Sequence, residues 1–233
     1  MVRPQIVKNE IYHVLNRGVD KRNIFLDEED YLRFIHDLFE FNDIAPALNL
    51  AYHIGLHNPK EVGLPKIERR PRELLVEILI FCLMKNHFHL LVRPKNDTAL
   101  TAFMRKLGTG YTNYFNKKYE RSGALFQGKY KVVHVNQETH FIHLPYYIHC
   151  NPLDYFEPSW RERKIKDHKR ALEYLENYRW SSFPDYLGKK NFPSVTQRDF
   201  ISKFYHGPKE YKKAMFSWLQ GMDLNEIKDR LLE

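Results

Sequence analysis

ELLVEILIFCLMKNHFHLLVRP, residues 73–94, sets two apolar runs around the polar pair Lys85-Asn86. Runs rich in Ile, Val, Leu and Phe, separated by two polar residues, read as two β-strands, 73–84 and 87–94, joined by a tight turn. Alternation along the second run puts His87 and His89 on one face, about 7 Å apart along the chain, while Phe88 and Leu90 turn the other way into a core. Two imidazoles on one side of a strand have the layout needed to hold one metal ion. In a chain with 12 histidines the H-x-H spacing carries little weight alone, so its surroundings decide.

Upstream, NEIYHVLNRG (9–18) mixes β-branched and aromatic residues and stops at Gly18, which suits a first strand. DEEDYLRFIHDLFEF (27–41) repeats apolar residues at helical spacing behind the cap Asp27 and is an amphipathic helix. Residues 43–72 carry Pro46, Pro59, Pro65 and Pro71 without a sustained period and form a long connection, with room for a short helix in APALNLAYHIGL.

Downstream, DTALTAFMRKLGTGYTNYFNKKY (97–119) is a helix capped by Asp97 or Thr98 and expected to be disturbed at Gly108 and Gly110. ALFQGKYKVVHV (124–135) alternates like a hairpin or extended arm. NQETHFIHLPYYIHCNP (136–152) is a third helix, capped by Asn136, kinked at Pro145 and closed by Pro152. The run RERKIKDHKR (161–170) is a solvated helical surface, and further helices are expected near 196–205, 208–219 and 223–232. Helices interleaved with hairpin-linked strands predict an α+β fold: a ferredoxin-like antiparallel sheet with helices packed on one face, spanning residues 8–152, plus a helical C-terminal extension over 153–233.

At 233 residues the chain can bury a full core without disulfides, and its two cysteines, Cys82 and Cys150, sit in apolar surroundings as reduced thiols. The N-terminus lacks the apolar stretch of a signal peptide. The longest apolar run, LLVEILIFCLM, contains Glu77 and falls well short of the roughly 20 residues that span a bilayer. A cytoplasmic protein without membrane contact is expected. A formal charge of +8 favours a polyanionic partner, through counterion release from neutralised phosphates. Composition alone does not separate DNA from RNA.

On the third helix Tyr147 and Asn151 are four apart and share a face, with His143 one turn earlier on that side. A tyrosine one turn from an amide suggests a nucleophile beside a neutral oxygen ligand; Tyr146, about 100° round the helix, is the reserve candidate. A phenol with pKa near 10 is ionised about one part in a thousand at neutral pH, a cost of roughly 4 kcal/mol before attack. A metal ion held by His87 and His89 beside a scissile phosphate would offset that cost by stabilising the developing charge.

His87-Phe88-His89 within FCLMKNHFHLLV, followed by Tyr147 and Asn151 in YYIHCNP, resembles the HUH-motif single-tyrosine transposases of the IS200-like superfamily, specifically the REP-associated tyrosine transposase branch. YHVLNRGVDKRNIF and YRWSSFPDYLG also look like that branch, so the resemblance covers roughly residues 8 to 190. It implies cleavage and rejoining of single-stranded DNA with hairpin or palindromic repeats through a covalent 5′-phosphotyrosine link and a free 3′-hydroxyl. Tyr147 then corresponds to the nucleophile, His87 and His89 to metal ligands, and Asn151 to the polar residue completing the metal shell. The implied cofactor is a divalent metal, Mg2+ or Mn2+, although imidazole ligands alone would equally suggest zinc. The long 43–72 connection and Pro145, two residues before the tyrosine, depart from the family's pattern.

For the DNA path, residues 108–131 interleave aromatic rings with cations: Tyr111 with Lys117, Lys118, Arg121, Lys129 and Lys131. Stacked bases are worth about 1 to 3 kcal/mol each, and the same pattern also suits a packed amphipathic helix. Arg17, Lys21 and Arg22 form a second candidate patch. Two other readings stay open beside the transposase: a catalytically silent, domesticated DNA-binding regulator, and a replication initiator or relaxase-type nickase. A homodimer, with Tyr147 acting within its own subunit or across to the other, is also left open.

Overall fold

The computed structural model describes residues 3–46, 71–221 and 224. Most of the 43–72 connection, including its candidate short helix, and the helix expected at 223–232 lie outside the described residues.

Four strands form one antiparallel sheet: β1 (Tyr12–Arg17), β2 (Val76–Met84), β3 (His87–Pro94) and β4 (Lys131–His134), in the order β2-β3-β1-β4. Helix α1 (Glu28–Glu40) lies between β1 and β2 in the chain, and α2 (Ala99–Lys118) between β3 and β4. This is the expected ferredoxin-like α+β arrangement. Asp27 caps α1, its carboxylate accepting from the Asp30 amide. The tight turn falls at Lys85-Asn86 as its two-residue length requires.

The sheet separates two cores. Tyr12, Val14, Phe88, Leu90 and Val92 pack with Phe34 and Leu38 of α1 and Phe103 and Leu107 of α2. Each buried side chain of this kind contributes roughly 1.5–3 kcal/mol. Leu79, Ile80, Cys82, Met84 and Leu91 face the other way, under α3 (Glu138–Cys150) and the C-terminal helices α4 (His168–Asn177), α5 (Phe183–Tyr186), α6 (Asp199–Phe204) and α7 (Pro208–Gly221). A β-bulge between Ile78 and Ile80 shifts the alternation of β2 by one residue. Burial on both faces explains why residues 74–84 read as one apolar run with a single charge, Glu77.

The C-terminal extension covers the second face and closes the β2 edge. Leu83 donates its amide to the Trp180 carbonyl, Ser182 donates its amide to the Phe81 carbonyl, and Tyr186 donates its hydroxyl to the Leu79 carbonyl. Such pairing protects an edge that would otherwise template association. Among the described residues no helix is long and apolar enough to cross a membrane.

Some local expectations change. α2 runs unbroken through Gly108 and Gly110, because Gly110 is where the Phe41 ring comes down onto the helix and a Cβ there would overlap it. Of the two candidate caps Thr98 stands at the N-cap of α2, without a side-chain cap bond, while Asp97 accepts from the Lys8 amide. Residues 124–130 are an irregular, bent arm rather than a hairpin, joined to the sheet by a bridge between Phe126 and Gly18. α3 starts after Gln137, not Asn136, and the chain continues past Pro152 as a 3-10 turn, Asn151–Tyr155. Proline at the start of that turn has no amide to leave unpaired.

Candidate active site

β3 carries His87 and His89 on the α3 side of the sheet, as alternation requires. In the β1 register Arg17 lies opposite His87 and Leu15 opposite His89. The two imidazole rings are 5.1 Å apart, centroid to centroid, and nearly perpendicular at 78°. His87 Nδ1 is 2.6 Å from Asn86 Oδ1. An amide oxygen only accepts, so Nδ1 carries the proton and Nε2 presents a lone pair. His89 Nδ1 is 2.9 Å from Nε2 of His13 on β1, and the two rings stack. With the His89 Nδ1–H donating, its Nε2 presents a lone pair as well.

Both Nε2 atoms, of His87 and of His89, are buried and have no hydrogen-bond partner. Burial of a polar atom without a partner costs about 1–3 kcal/mol, so two in adjacent rings mark a position that wants an occupant. Burial, then the Arg17 and Arg161 charges, push the pKa of His87 down to about 3. His89 is lowered well below its ordinary value by burial first, then by His87, His13, Arg161 and Arg17. Both rings are neutral at physiological pH, the form that ligates metal.

α3 brings Tyr147 over this pair. Its ring lies 6.2 Å from that of His89, edge to face, and 5.9 Å from Trp160. The side chain is fully buried. Tyr146, the reserve candidate, points instead into the C-terminal aromatic cluster against Tyr205, Tyr211 and Trp218, where burial pushes its pKa up to about 12. His143 accepts from the Trp218 indole at 3.0 Å and is likewise engaged with the C-terminal helices.

Asn151 sits one turn beyond Tyr147, buried. Its amide nitrogen donates to the Tyr147 carbonyl at 3.0 Å, and its Oδ1 accepts from Arg161 Nη2 at 2.8 Å. Arg161 belongs to the 3-10 turn Pro158–Glu162. Its guanidinium lies 5.7 Å from the Tyr147 ring centre and 4.4 Å from that of Trp160, and it forms an ion pair with Asp154. The run 161–170 is therefore not uniformly solvated surface, because Arg161 folds back onto the third helix. His13 and Arg161 were not singled out by sequence. His13 carries the alternation signal of β1, but its meeting with His89 depends on strand register, and nothing in a charged run marks one arginine as turned inward.

The two orphaned imidazole nitrogens fit a divalent cation. Among the described residues no group of three or more His, Cys, Asp or Glu converges as a metal site. The neutral oxygen one turn beyond Tyr147, Asn151 Oδ1, accepts from Arg161.

The nucleic-acid candidates divide. Arg17, Lys129 and Lys131 come together, with Asn16 and Gln127, around a pocket of about 240 Å³. Lys21 and Arg22 are exposed on the turn after β1, where Lys21 adopts φ 58° and its carbonyl accepts from Asn86 Nδ2. Tyr111 requires correction: it is fully buried, donates to the Ile24 carbonyl and packs among Phe25, Phe34 and Phe126, so it has no face for a base. Lys118 is bound to Asp27, Glu29 and Asp30 at the start of α1. Arg121 braces the 116–124 turn through Asn116 and the Ala124 carbonyl. Lys117 is exposed at the end of α2. A wider groove of about 560 Å³ runs between α2 and the 124–130 arm, with Arg3 over the Tyr130 ring at 4.2 Å and Arg105 and Lys129 on its wall.

No curated protein matches the chain. Among solved structures it is similar to a REP-associated tyrosine transposase bound to a REP hairpin, with a TM-score of 0.52 at 13% identity, covering 85% of this chain and 92% of that one. At that identity the likeness concerns the fold. Residues 66–151, which contain β2, β3, both histidines, Tyr147 and Asn151, match the family described as "Transposase IS200 like".

Proposed function

We propose that the protein is a DNA transposase that cleaves and rejoins single-stranded, hairpin-forming DNA, with Tyr147 as nucleophile and His87, His89 and Asn151 as holders of a divalent metal, Mg2+ or Mn2+. The observation that carries this reading is the pair of buried, partnerless Nε2 atoms on neutral imidazoles, one of them in the His89 ring 6.2 Å from that of Tyr147. The hairpin in the structurally similar transposase supports DNA of that kind as substrate.

The chemistry is a transesterification. The Tyr147 oxygen loses its proton and bonds to the scissile phosphorus, the bond from phosphorus to the 3′-oxygen breaks, and that oxygen leaves as a 3′-hydroxyl once it takes up a proton. One phosphodiester replaces another, so rejoining is the same step reversed. A bound cation supplies charge stabilisation at the phosphate, worth several kcal/mol. His87 and His89 contribute by staying neutral and oriented, through the hydrogen bonds to Asn86 and His13. Because Tyr147 is fully covered, attack requires the Trp160–Arg161 turn to shift from over its ring.

The test is incubation with single-stranded hairpin DNA and Mn2+. A covalent protein–DNA adduct mapped to Tyr147 and absent in Tyr147→Phe is expected. No adduct, or one that persists in Tyr147→Phe, contradicts the reading.

The burial of Tyr147 favours one alternative, a silent DNA-binding regulator of the same fold. It predicts salt-sensitive DNA binding with no metal-dependent nicking and no loss of binding in His87→Ala.

A further inference from the structure

We propose that Arg17 and Arg161 form a two-guanidinium clamp for the scissile phosphodiester, closing on it from either side of the histidine pair. The inference rests on the transposase reading and extends it to two residues outside the histidine and tyrosine motifs, one from the C-terminal extension.

Arg17 ends β1 directly opposite His87 in the antiparallel register, so its side chain rises on the histidine face. Its Nε is buried without a hydrogen-bond partner. It also lines the pocket shared with Lys129 and Lys131, which gives the flanking strand a cationic exit from the site. Arg161 comes from the opposite layer. It bridges Asn151 Oδ1 and Asp154, lies over Tyr147, and keeps 23% of its side chain exposed. Both guanidiniums act electrostatically on both histidines.

Two permanent cations therefore flank a pair of neutral rings, with Asp154 ion-paired to Arg161. Adding a divalent cation to that charge is unfavourable unless an anion enters too. A phosphodiester presents two non-bridging oxygens, which a guanidinium binds in a planar, bidentate fashion. Arg161 has a second consequence. When it turns to phosphate it gives up Asn151 Oδ1, so arrival of DNA releases the oxygen that a cation would take and uncovers the Tyr147 ring. Substrate and metal binding are thereby coupled through one side chain.

The competing role for Arg161 is a latch that only pins the 154–161 turn. The first measurement is a titration of the metal-free protein with inorganic phosphate in chelator, following arginine Nε–Hε resonances by 15N NMR. Arg17→Lys and Arg161→Lys assign the two signals. The clamp predicts that both move saturably with phosphate and not with chloride at equal ionic strength; absence of such movement overturns it. This readout does not depend on strand cleavage, so it separates failure of the clamp from failure of the transposase reading.

The second measurement is adduct formation with hairpin DNA and Mn2+. Arg161→Gln is expected to slow it about 10²–10³-fold, as for loss of one donor to transition-state charge. Asp154→Asn, which removes the ion pair but keeps the guanidinium, is expected to stay within about fivefold. Equal losses in the two variants, or an unchanged rate in Arg161→Gln, overturn the clamp in favour of the latch.

Discussion

The two faces of β3 differ by one residue in phase and by kind in what they hold. Phe88, Leu90 and Val92 enter a largely apolar and aromatic core beneath α1 and α2. His87 and His89, interleaved with them, enter a face where imidazoles, a buried amide, two guanidiniums and a phenol meet beneath α3 and the 151–162 turns. Both faces are covered, so burial alone does not separate them. What separates them is the kind of polar group: on the first face the buried Asp37 carboxylate pairs with Arg33 and the Asn42 amide bonds the Val76 backbone, whereas the second leaves two neutral ring nitrogens without hydrogen-bond partners. A position that costs stability in the free protein is where binding is expected to return it.

The contrast can be broken from either side. The largest effect belongs to the chemical face, where Tyr147→Phe is expected to abolish the covalent adduct while the thermal transition stays cooperative. An unfolded variant, or a surviving adduct, would remove Tyr147 from its role. On the apolar face Phe88→Ala is expected to cost about 3–5 kcal/mol in urea denaturation, from lost transfer energy and a residual cavity. A cost below 1 kcal/mol would mean that this core is not the source of stability.

A smaller loss, about 1–3 kcal/mol, is expected for Gly110→Ala, whose new methyl overlaps the Phe41 ring. Combining it with Phe41→Leu should recover part of that cost. If Gly110→Ala is stabilising, helix propensity outweighs the close approach.

The gentlest probe is pH. His87 and His149 both have folded-state values pushed down to about 3, chiefly by burial. Between about 6.5 and 3 the unfolded chain takes up protons that the folded chain refuses, so stability falls as pH is lowered, by at most about 1.4 kcal/mol per pH unit for each group. His149 bonds Tyr211 and Ser182 and is structural. Replacing it with Leu should flatten the slope of denaturation free energy between pH 6 and pH 4. An unchanged slope would place the acid sensitivity elsewhere.

How much of this could be read from residues alone follows from the range of each interaction. The β3 alternation, the Lys85-Asn86 turn and the Asp27 cap are local, and each appears where the sequence puts it. The ferredoxin-like order follows from the interleaving of strands and helices. Gly110 was misjudged because propensity sees a helix breaker, while the fold needs a flat patch for Phe41. Tyr111 was misjudged because a ring at helical spacing looks the same whether it faces bases or the Phe25–Phe34 core. His13 and Arg161 were missed because their partners lie 76 and 10 residues away, across a strand register and a change of direction that no local pattern encodes.

The central claim is that the paired Nε2 atoms hold a divalent cation beside Tyr147. Calorimetric titration of the DNA-free protein with Mn2+ tests it directly, against His89→Ala as control. The account predicts one saturable site in the wild type that is lost in the variant while the fold persists. Equal binding by both proteins would contradict it.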